Sequence, residues 1–467
     1  MLPLGFITFP LLIKLISKLN KFNSINTYFY SGFWFGFGFL SIFLIWIFNP
    51  FLVFEETKNY AAISIILILF LSSIFGFSFI FFKFIQNDFY RIVFIPLLFT
   101  LIEIIFANII YGFPWVSFSL VGSNNIVTLN VIKVFGTYFT SFLTILLFIT
   151  PYLLINFIKE KKIIFFVILF YLTIFIIFII LNISMNVSKK MEKLNIDIIQ
   201  LNNPIISEKN HNSSQIADVI KNHILSSQAD IIVFAENNYP FVIEDLNQLK
   251  INNFVKKGQT VIIGGTRKEN NEYFNSFILG NSSTLEYFDK KILVPFGEFI
   301  PLREYLSIFE FIAGTNDYSI GTKDRLIKFN DNYTIIPVIC YEIIFFWKLI
   351  NDINLNADFI INITNDSWFG NYVGPYQHFY LAKLRAAEFN KPLIRASNNG
   401  ISAIIDQNGK VLKSTSLNKK QILSYKLQYY KSSNMIKIHK YFNLLLIVLI
   451  LFFVYLIFIK NEKFSKI

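Results

Sequence analysis

The sequence predicts a helical membrane domain followed by an α/β domain. Only 15% of the 467 residues are charged, whereas soluble domains carry about 25%. The deficit is concentrated in residues 1–183, which consist mostly of Phe, Ile and Leu, and residues 190–435 read like an ordinary globular domain. We therefore expect a membrane domain at 1–183, a globular domain at 184–440, and a final membrane helix with its tail at 441–467.

Seven apolar stretches are candidates for membrane-spanning helices, each of which needs ~20 mostly apolar residues. They lie at about 2–17, 29–51, 61–82, 92–112, 132–157, 163–183 and 441–459. The first is interpreted as a retained span, because no small-residue cleavage site follows it.

Lys and Arg predict the orientation of these spans, because cations of short loops stay on the cytoplasmic side. They follow the first span, the third, the fifth and the last, and the loops between are poor in them. This places the N-terminus outside, the C-terminus inside and residues 184–440 outside the cytoplasm. The net charge of +12 fits an anionic membrane surface better than nucleic acid, because no basic stripe is interleaved with aromatic residues.

The globular part predicts an α/β fold, because short β-like runs alternate with helical stretches. The predicted strands are Ile196–Gln200, Ile231–Ala235, Val261–Gly264, Ser276–Leu279, Thr334–Ile339, Phe359–Ile363, Leu393–Ala396, Ser402–Ile405 and Leu423–Leu427. The predicted helices include Ser213–Ser226, Glu342–Asn351 and Gly374–Asn390.

Cys340 is the single cysteine, and it stands between a predicted strand and a predicted helix. At such a turn the helix N-terminus would stabilise a thiolate, and the amide of Tyr341 would face a developing oxyanion. A lone cysteine is more often a small buried hydrophobe, so its role depends on its neighbours. One cysteine excludes an intramolecular disulfide, and the four histidines show no ligand spacing, so no metal site is expected.

Two other positions could serve a cysteine nucleophile. Glu236 ends an apolar run, so it would lie at the carboxyl edge of a sheet and could act as a general base. A helix cap or a surface acid is the alternative. Lys290 and Lys291 are adjacent, and a lysine beside a thiolate would lower the pKa of the thiol and stabilise an oxyanion. Composition does not rank the two lysines, and a solvated pair is the alternative.

Glu103 lies inside the fourth predicted span. A carboxylate there is costly, which makes it a functional candidate. The alternative is a protonated or snorkelling side chain packed between helices.

Glu236, Lys290 and Cys340 follow one another, each beside a β-like run, in the order typical of the nitrilase superfamily. With the flanking spans, the chain resembles the apolipoprotein N-acyltransferases over nearly its whole length. The matching motifs are Gly112-Phe113-Pro114-Trp115, Asp289-Lys290-Lys291-Ile292-Leu293-Val294-Pro295-Phe296-Gly297-Glu298, Cys340-Tyr341-Glu342, Asn365-Asp366-Ser367-Trp368-Phe369-Gly370, Pro375-Tyr376-Gln377-His378 and Arg395-Ala396-Ser397-Asn398-Asn399-Gly400-Ile401-Ser402. That family usually has eight spans with the N-terminus inside, whereas seven with the N-terminus outside are predicted here.

The resemblance implies a nitrilase-like α-β-β-α sandwich on the periplasmic side of the bacterial inner membrane. It implies three catalytic residues, Glu236, Lys290 and Cys340, and three supporting residues, Glu298, Tyr341 and Glu342. The implied reaction takes an acyl chain from a phospholipid onto the cysteine as a thioester. The chain then passes to the amine of diacylglyceryl-cysteine in an apolipoprotein, the last step of lipoprotein maturation. No cofactor or metal is expected, and the protein is expected to be a monomer.

Two other functions fit part of the sequence. A membrane-anchored nitrilase-type amidase would use the same Glu, Lys and Cys with water as the acceptor, but a single anchor would suffice for it. A transporter with a degenerate outer domain would be expected to show internal repeats, and none is evident. Seven predicted spans beside the Glu-Lys-Cys set favour a lipid substrate and acyl transfer.

Overall fold

The structure is a computed structural model that describes residues 2–19, 21–22, 24–184, 187–204, 213–306, 310, 316–329, 333–352, 357–432 and 436–464. The chain divides into two compact units. The first unit contains residues 1–45, 62–186 and 434–467, and the second unit contains residues 46–61 and 187–433.

The α-helices of both units are numbered together along the chain. They are α1 (Leu2–Leu19), α2 (Ile25–Phe43), α3 (Asn49–Leu52), α4 (Ser64–Phe79), α5 (Asp88–Asn108), α6 (Ile126–Phe135), α7 (Thr137–Asn156), α8 (Lys161–Ile183), α9 (Ser213–Ser226), α10 (Arg303–Leu306), α11 (Phe346–Asp352), α12 (Val373–Phe389) and α13 (Ile436–Phe464). The first unit holds α1, α2, α4 to α8 and α13.

Within the described residues, five helical stretches are long and apolar enough to cross a membrane, which confirms a helical region rich in candidate spans. They are residues 55–84, which contain α4, then α5, α7 and α8, and residues 436–455 of α13. A sixth is added if the bent pair 25–43 and 45–52 counts as one span.

Two predicted spans are interrupted in the structure. The stretch at 132–157 is divided between α6 and α7 at Gly136, whose φ of 78° lies in the left-handed region that interrupts a right-handed helix. The stretch at 29–51 is also interrupted, because α2 ends at Phe43 and residues from Trp46 onward belong to the second unit.

Phenylalanine fills the interior of the first unit. The ring of Phe75 lies 5.8 to 6.2 Å, centroid to centroid, from the rings of four others: Phe35, Phe39, Phe99 and Phe106. The approach of α2 to α4 is close enough to require glycine. A Cβ atom on Gly32 or Gly36 would come within 2.8 Å of atoms of α4.

Glu103 of α5 is buried against the segment that follows its helix. Its carboxylate accepts hydrogen bonds from the Phe118 amide at 2.6 Å and from the Ser117 hydroxyl at 3.3 Å. Ser117 is in turn 3.2 Å from the hydroxyl of Ser141 in α7. These contacts describe a side chain packed between helices, and Glu103 takes no part in the chemistry proposed below.

The described residues of the second unit form two six-stranded sheets. The strands are β1 (Val187–Gln200), β2 (Ile231–Phe234), β3 (Thr260–Glu269), β4 (Glu272–Gly280), β5 (Leu285–Asp289), β6 (Ile327–Phe329), β7 (Tyr333–Ile339), β8 (Phe359–Thr364), β9 (Leu393–Ser397), β10 (Ala403–Ile405), β11 (Val411–Ser414) and β12 (Gln421–Ser432). Their order is β12-β1-β2-β3-β4-β5 in one sheet and β11-β10-β9-β8-β7-β6 in the other. The inner strands β1 to β3 and β7 to β9 are parallel, so their carboxyl ends lie at one edge of each sheet.

Helices cover both sheets. Ile220 and Ile224 of α9 share an apolar core with Ile232 and Phe234 of β2. Helix α12 packs against β9 and against the turn that follows β7. The α/β prediction is confirmed, and each of the nine predicted strands overlaps an observed one.

The remaining differences concern elements that composition did not indicate. Strands β5, β6 and β11 were not predicted, and β1 begins at Val187 instead of Ile196. The helix predicted at Glu342–Asn351 begins instead as a 3-10 helix, Cys340–Ile344, and continues as α11.

Residues 46–61 are part of the second unit, although more than a hundred residues of the first unit separate them from the rest of it in the chain. The Trp46 indole N–H donates to Gln377 Oε1 at 2.9 Å, and its ring meets that of Phe369 edge-on at 5.0 Å. The Asn49 side chain donates to the Phe369 carbonyl at 3.0 Å. The segment thus covers the start of α12 and the turn before it.

Candidate active site

Cys340 stands at a sharp turn where β7 ends. The strand is buried in its sheet from Ile335 onward, and the chain enters a 3-10 helix at Cys340 itself. The φ of Cys340 is +47°, a left-handed conformation that costs a non-glycine residue about 1–3 kcal/mol and persists only where its surroundings enforce it. Only 6% of the residue is exposed. The turn presents a buried thiol at the carboxyl edge of the sheet.

Two glutamates and a lysine are buried together beside this turn. Lys290 Nζ lies 2.8 Å from Glu298 Oε1 and 3.5 Å from Glu236 Oε1. Asn275 Nδ2 donates to both of these carboxylate oxygens at 2.8 Å. Glu236 Oε2 accepts the main-chain N–H of Asn365 at 2.8 Å. We call Glu236, Lys290, Glu298 and Asn275 the acid–lysine cluster.

Ends of strands supply most of this cluster. Glu236 follows β2 closely and Lys290 directly follows β5, whereas Asn275 lies within β4. The loop after β5 folds back so that Glu298 reaches Lys290, and the Val294 amide donates to Glu298 Oε2 at 2.8 Å. Lys290 is 1% exposed. The structure thus places Lys290, of the two adjacent lysines, against both carboxylates.

The thiol of Cys340 lies beside this cluster and interacts with the Glu236 carboxylate. Thr364, the last residue of β8, also hydrogen-bonds the thiol. The three residues that the sequence predicted as catalytic, Glu236, Lys290 and Cys340, therefore lie in one contiguous site.

Burial and charge together determine the protonation of the site. Burial raises the pKa of Glu236, and the negative Glu298 adds to this rise while Lys290 opposes it. Burial alone would lower the pKa of Lys290, but Glu298 and Glu236 raise it above its ordinary value, so Lys290 is an ammonium. Burial raises the pKa of Cys340 as well, and Glu236 adds to the rise. The resting site therefore holds a neutral thiol, in contrast to the thiolate expected from a helix N-terminus.

Glu342, predicted as a supporting residue, ties three segments together. Its carboxylate accepts the main-chain N–H groups of Ile339, Lys291 and Ile292 at 2.9, 2.8 and 3.2 Å. Arg325 donates two further hydrogen bonds to it, each of 2.8 Å. Burial alone would raise the pKa of Glu342, but Arg325 and these donors hold it below its usual range. Glu342 thus fixes the lysine-bearing loop against the cysteine turn.

Tyr341, the other supporting residue predicted beside Cys340, is buried in the first turn of the 3-10 helix. Its ring meets that of Phe345 edge-on, with the centroids 4.9 Å apart. The side chain therefore packs within the turn.

A second group of charged residues lies behind the cysteine turn. Asp366 accepts hydrogen bonds from Arg395 Nη2 at 2.7 Å and from the Thr364 hydroxyl at 3.1 Å, and His378 Nδ1 lies 2.8 Å from its Oδ1. His378 also hydrogen-bonds the main chain of Cys340. We call Asp366, His378 and Arg395 the Asp–His–Arg cluster, and all three are fully buried.

The sequence did not assign roles to Asn275 or to the Asp–His–Arg cluster. The cluster residues stand in motifs that carry the family resemblance, which was the one signal available for them. Asn275 directly precedes the predicted strand Ser276–Leu279, and no local pattern distinguishes it from a surface residue. In the part of the chain that the structure describes, no group of three or more His, Cys, Asp or Glu residues is arranged to hold a metal ion.

Two family models match the chain. Residues 1–150 match the apolipoprotein N-acyltransferase N-terminal domain, and residues 196–433 match the carbon–nitrogen hydrolases. The apolipoprotein N-acyltransferase of Rhodopseudomonas palustris is 27% identical over 447 residues, which cover 88% of this chain and 82% of that protein. That of Rickettsia typhi is 31% identical over 352 residues, covering 71% and 69%. That of Brucella melitensis biotype 1 is 29% identical over 446 residues, covering 88% and 83%.

Proposed function

The chain belongs to the apolipoprotein N-acyltransferase family, and we propose that it transfers a fatty acyl chain from a phospholipid to the N-terminal amine of diacylglyceryl-cysteine in apolipoproteins. Its second unit has the nitrilase-like fold of the carbon–nitrogen hydrolases. The observation that carries the chemistry is the meeting of the Cys340 thiol with the Glu236 carboxylate and the Lys290 ammonium.

The charge balance of the acid–lysine cluster supports Glu236 as the general base. The cluster holds two carboxylates and one ammonium, so it already carries an excess negative charge. A thiolate formed beside it would add a second negative charge in a buried site, which is strongly unfavourable. Cys340 can therefore react only if its proton passes to Glu236 as the sulfur attacks. The raised pKa of Glu236 makes this carboxylate a better base.

In the first half-reaction, Cys340 Sγ attacks the ester carbonyl of the phospholipid. A C–S bond forms, the thiol proton moves to Glu236, and the tetrahedral oxyanion is stabilised by Lys290 and the Tyr341 amide. The C–O bond then breaks, and Glu236 returns the proton to the leaving glycerol oxygen. The products are a thioester on Cys340 and a lysophospholipid, and splitting the transfer in this way replaces one hard step by two easier ones.

In the second half-reaction, the amine of diacylglyceryl-cysteine attacks the thioester. A C–N bond forms and the C–S bond breaks, while the proton lost by the amine passes through Glu236 to the departing sulfur. The neutral thiol of Cys340 is thereby restored. This cycle needs no group from outside the chain other than the two lipid substrates.

We further propose that the protein resides in the bacterial inner membrane as a monomer with its catalytic domain on the periplasmic side. The apolar helices of the first unit support a membrane location, since a lipid donor and a lipidated acceptor both reside in a bilayer. The alternation of cation-rich and cation-poor loops supports the orientation.

Mass spectrometry of the purified protein after incubation with phospholipid and no acceptor tests the proposal. We expect a fatty-acyl adduct on Cys340 that hydroxylamine releases and that an added diacylglyceryl peptide removes much faster than water does. Release by water at the same rate as by the peptide would favour a membrane-anchored hydrolase instead. A folded protein that forms no adduct would contradict the thioester mechanism. Because the chain has one cysteine, any thioester must be on Cys340.

A further inference from the structure

We propose that the Asp–His–Arg cluster is a positioning device for Cys340, which holds the main chain of the nucleophile in its strained conformation so that the thiol faces Glu236. The importance of that thiol rests on the function proposed above. The positioning itself is a property of the resting protein, so it can be tested without acyl transfer.

The cluster contacts the cysteine turn along two routes. His378 lies on α12, which packs against the cysteine turn, and it interacts with the main chain of Cys340, the residue with the left-handed φ. Thr364 donates to Asp366 Oδ1 at 3.1 Å and hydrogen-bonds the Cys340 thiol. One route therefore fixes the backbone of the nucleophile, and the other fixes the direction of its sulfur.

A third contact reaches the strand before the turn. Arg395 Nη1 donates to the Asn362 side-chain oxygen, and Asn362 Nδ2 donates to the Val338 carbonyl at 3.1 Å. Val338 lies two residues before Cys340 in β7. The cluster thus holds the chain at the end of the strand as well as at the turn, which is what a left-handed residue between them requires.

The carboxylate of Asp366 is also tightly enclosed by its neighbours. Ser397 donates to Asp366 Oδ2 at 3.2 Å. A Cβ atom on Gly400 would come within 2.0 Å of Asp366 Oδ2 and 2.5 Å of the Ser397 hydroxyl, so glycine is required at that position. Because Asp366 is confined in this way, it fixes the positions of His378 and Thr364, which in turn contact the cysteine turn.

Stability alone is a weak explanation for this cluster. Replacing a buried ion pair with apolar residues of similar volume is often neutral or stabilising. Burial alone would raise the pKa of Asp366, but Arg395 and His378 hold it well below its usual range, so the carboxylate stays ionised beside the site. A permanently charged group placed against a strained nucleophile fits a role in geometry and electrostatics.

The S–H stretching band of the full-length protein tests the positioning directly. Since Cys340 is the sole cysteine, the protein has one such band, and its frequency reports the surroundings of the thiol, which include the Glu236 carboxylate. We expect His378→Ala to shift the band in the same direction as Glu236→Gln, although its contact with Cys340 is to the main chain. Glu388→Gln, a change at another fully buried polar residue of α12, is the control and should leave the band unchanged. A wild-type band in folded His378→Ala would overturn the proposal.

The kinetics of Cys340 acylation supply the second measurement. We expect His378→Ala to lower the rate at saturating phospholipid by about 100-fold with KM unchanged, as for a displacement of about 1 Å. His378→Gln, which retains an N–H donor of similar reach, should recover part of that loss. Equal rates for Ala and Gln, or a loss confined to KM, would contradict positioning by His378. If neither variant folds, Thr364→Val tests the second route, the one that reaches the sulfur, with a near-isosteric side chain, and an unshifted S–H band in that variant would overturn the proposal. Failure to detect acylation even in the native protein would instead count against the proposed function.

Discussion

Two buried charged clusters flank the nucleophile, and they differ in their charge balance. The acid–lysine cluster sets two carboxylates against one ammonium, whereas the Asp–His–Arg cluster sets one carboxylate against one guanidinium and adds an imidazole, whose pKa is lowered by burial, as a further partner. Burial raises the pKa of Glu236 in the first cluster. In the second, burial acts on Asp366 in the same direction, but Arg395 and His378 outweigh it and leave the pKa well below its usual range.

This comparison shows that burial alone does not decide what a carboxylate can do. With too few positive partners, Glu236 has a raised pKa and can exchange a proton with substrate groups. With a guanidinium and an imidazole, Asp366 is locked as an anion and can serve only to hold other groups. The ratio of charges thus separates a group that takes part in proton transfer from one that maintains geometry.

Replacing the Cys340 sulfur, which both clusters face, should reduce acyl transfer more than any other change. We expect Cys340→Ser to lower acyl transfer by on the order of 10⁶-fold, as when the nucleophile of a covalent triad is removed. The hydroxyl is a poor nucleophile at a site that does not lower its pKa. Transfer of a labelled acyl chain to a diacylglyceryl peptide measures this, and substantial residual transfer by the folded variant would remove the thioester from the mechanism.

In the acid–lysine cluster, the change to test is Glu236→Gln, which removes the proposed base. We expect acylation of Cys340 to slow by about 10²–10⁴-fold, the usual contribution of general acid–base catalysis. The rate of single-turnover adduct formation is the measurement, and Glu286→Gln, an exposed carboxylate of β5, is the control. An unaffected rate in Glu236→Gln would assign the base to another residue.

The same carboxylate-to-amide change in the other cluster should lower the stability of the protein in addition to disturbing the position of Cys340. Asp366→Asn leaves the buried Arg395 guanidinium without a counter-charge, and breaking such a pair costs about 3–5 kcal/mol. Denaturant unfolding of the detergent-solubilised protein measures the free energy of unfolding. Equal stability losses in Asp366→Asn and Glu236→Gln would show that the two clusters do not differ as proposed.

The adjacent lysines provide a test with an internal control. Lys290→Ala should remove about 2.7–4 kcal/mol of transition-state stabilisation if Lys290 is an oxyanion donor. Lys291 is half-buried, and its main-chain N–H binds Glu342, so Lys291→Ala should retain most of the acylation activity. Measured kcat/KM values for the two variants decide between them, and the larger loss in Lys291→Ala would reverse the assignment.

The smallest expected effect is that of pH. Glu236 must be ionised to accept the thiol proton, so the acylation rate should fall about tenfold per pH unit below its apparent pKa. Because burial raises that pKa, the decline should begin at a higher pH than for an ordinary glutamate. A pH profile of kcat/KM measures it, and the acidic limb should be absent in Glu236→Gln.

Sequence reasoning located Cys340 and Glu236 because each follows an apolar run that a buried strand explains. The end of such a strand is an edge of a sheet, so the position of the residue follows from a local pattern. Lys290 and Lys291 could not be separated in this way. Neighbouring residues after a strand direct their side chains differently, and only the folding back of the loop at Glu298 decides which ammonium is buried.

The Asp–His–Arg cluster could not be assembled from the sequence for a different reason. Its members come from the turn after β8, from α12 and from β9, and their partnership depends on how these elements pack. Bends in the apolar helices were missed for a related reason. Hydrophobic composition continues across Gly136 and past Phe43, so it indicates where the chain is shielded from water but not where a helix stops.

The docking of residues 46–61 has a consequence for biosynthesis. The ribosome makes Trp46 and Asn49 long before Phe369 and Gln377, the residues they bind. The catalytic unit therefore does not make all of its contacts within one contiguous stretch of chain, and these contacts form only after the helices between have been made. A secreted fragment of residues 187–433 would lack this partner, and a soluble version of the enzyme should need the segment supplied as a separate peptide or grafted as a linker.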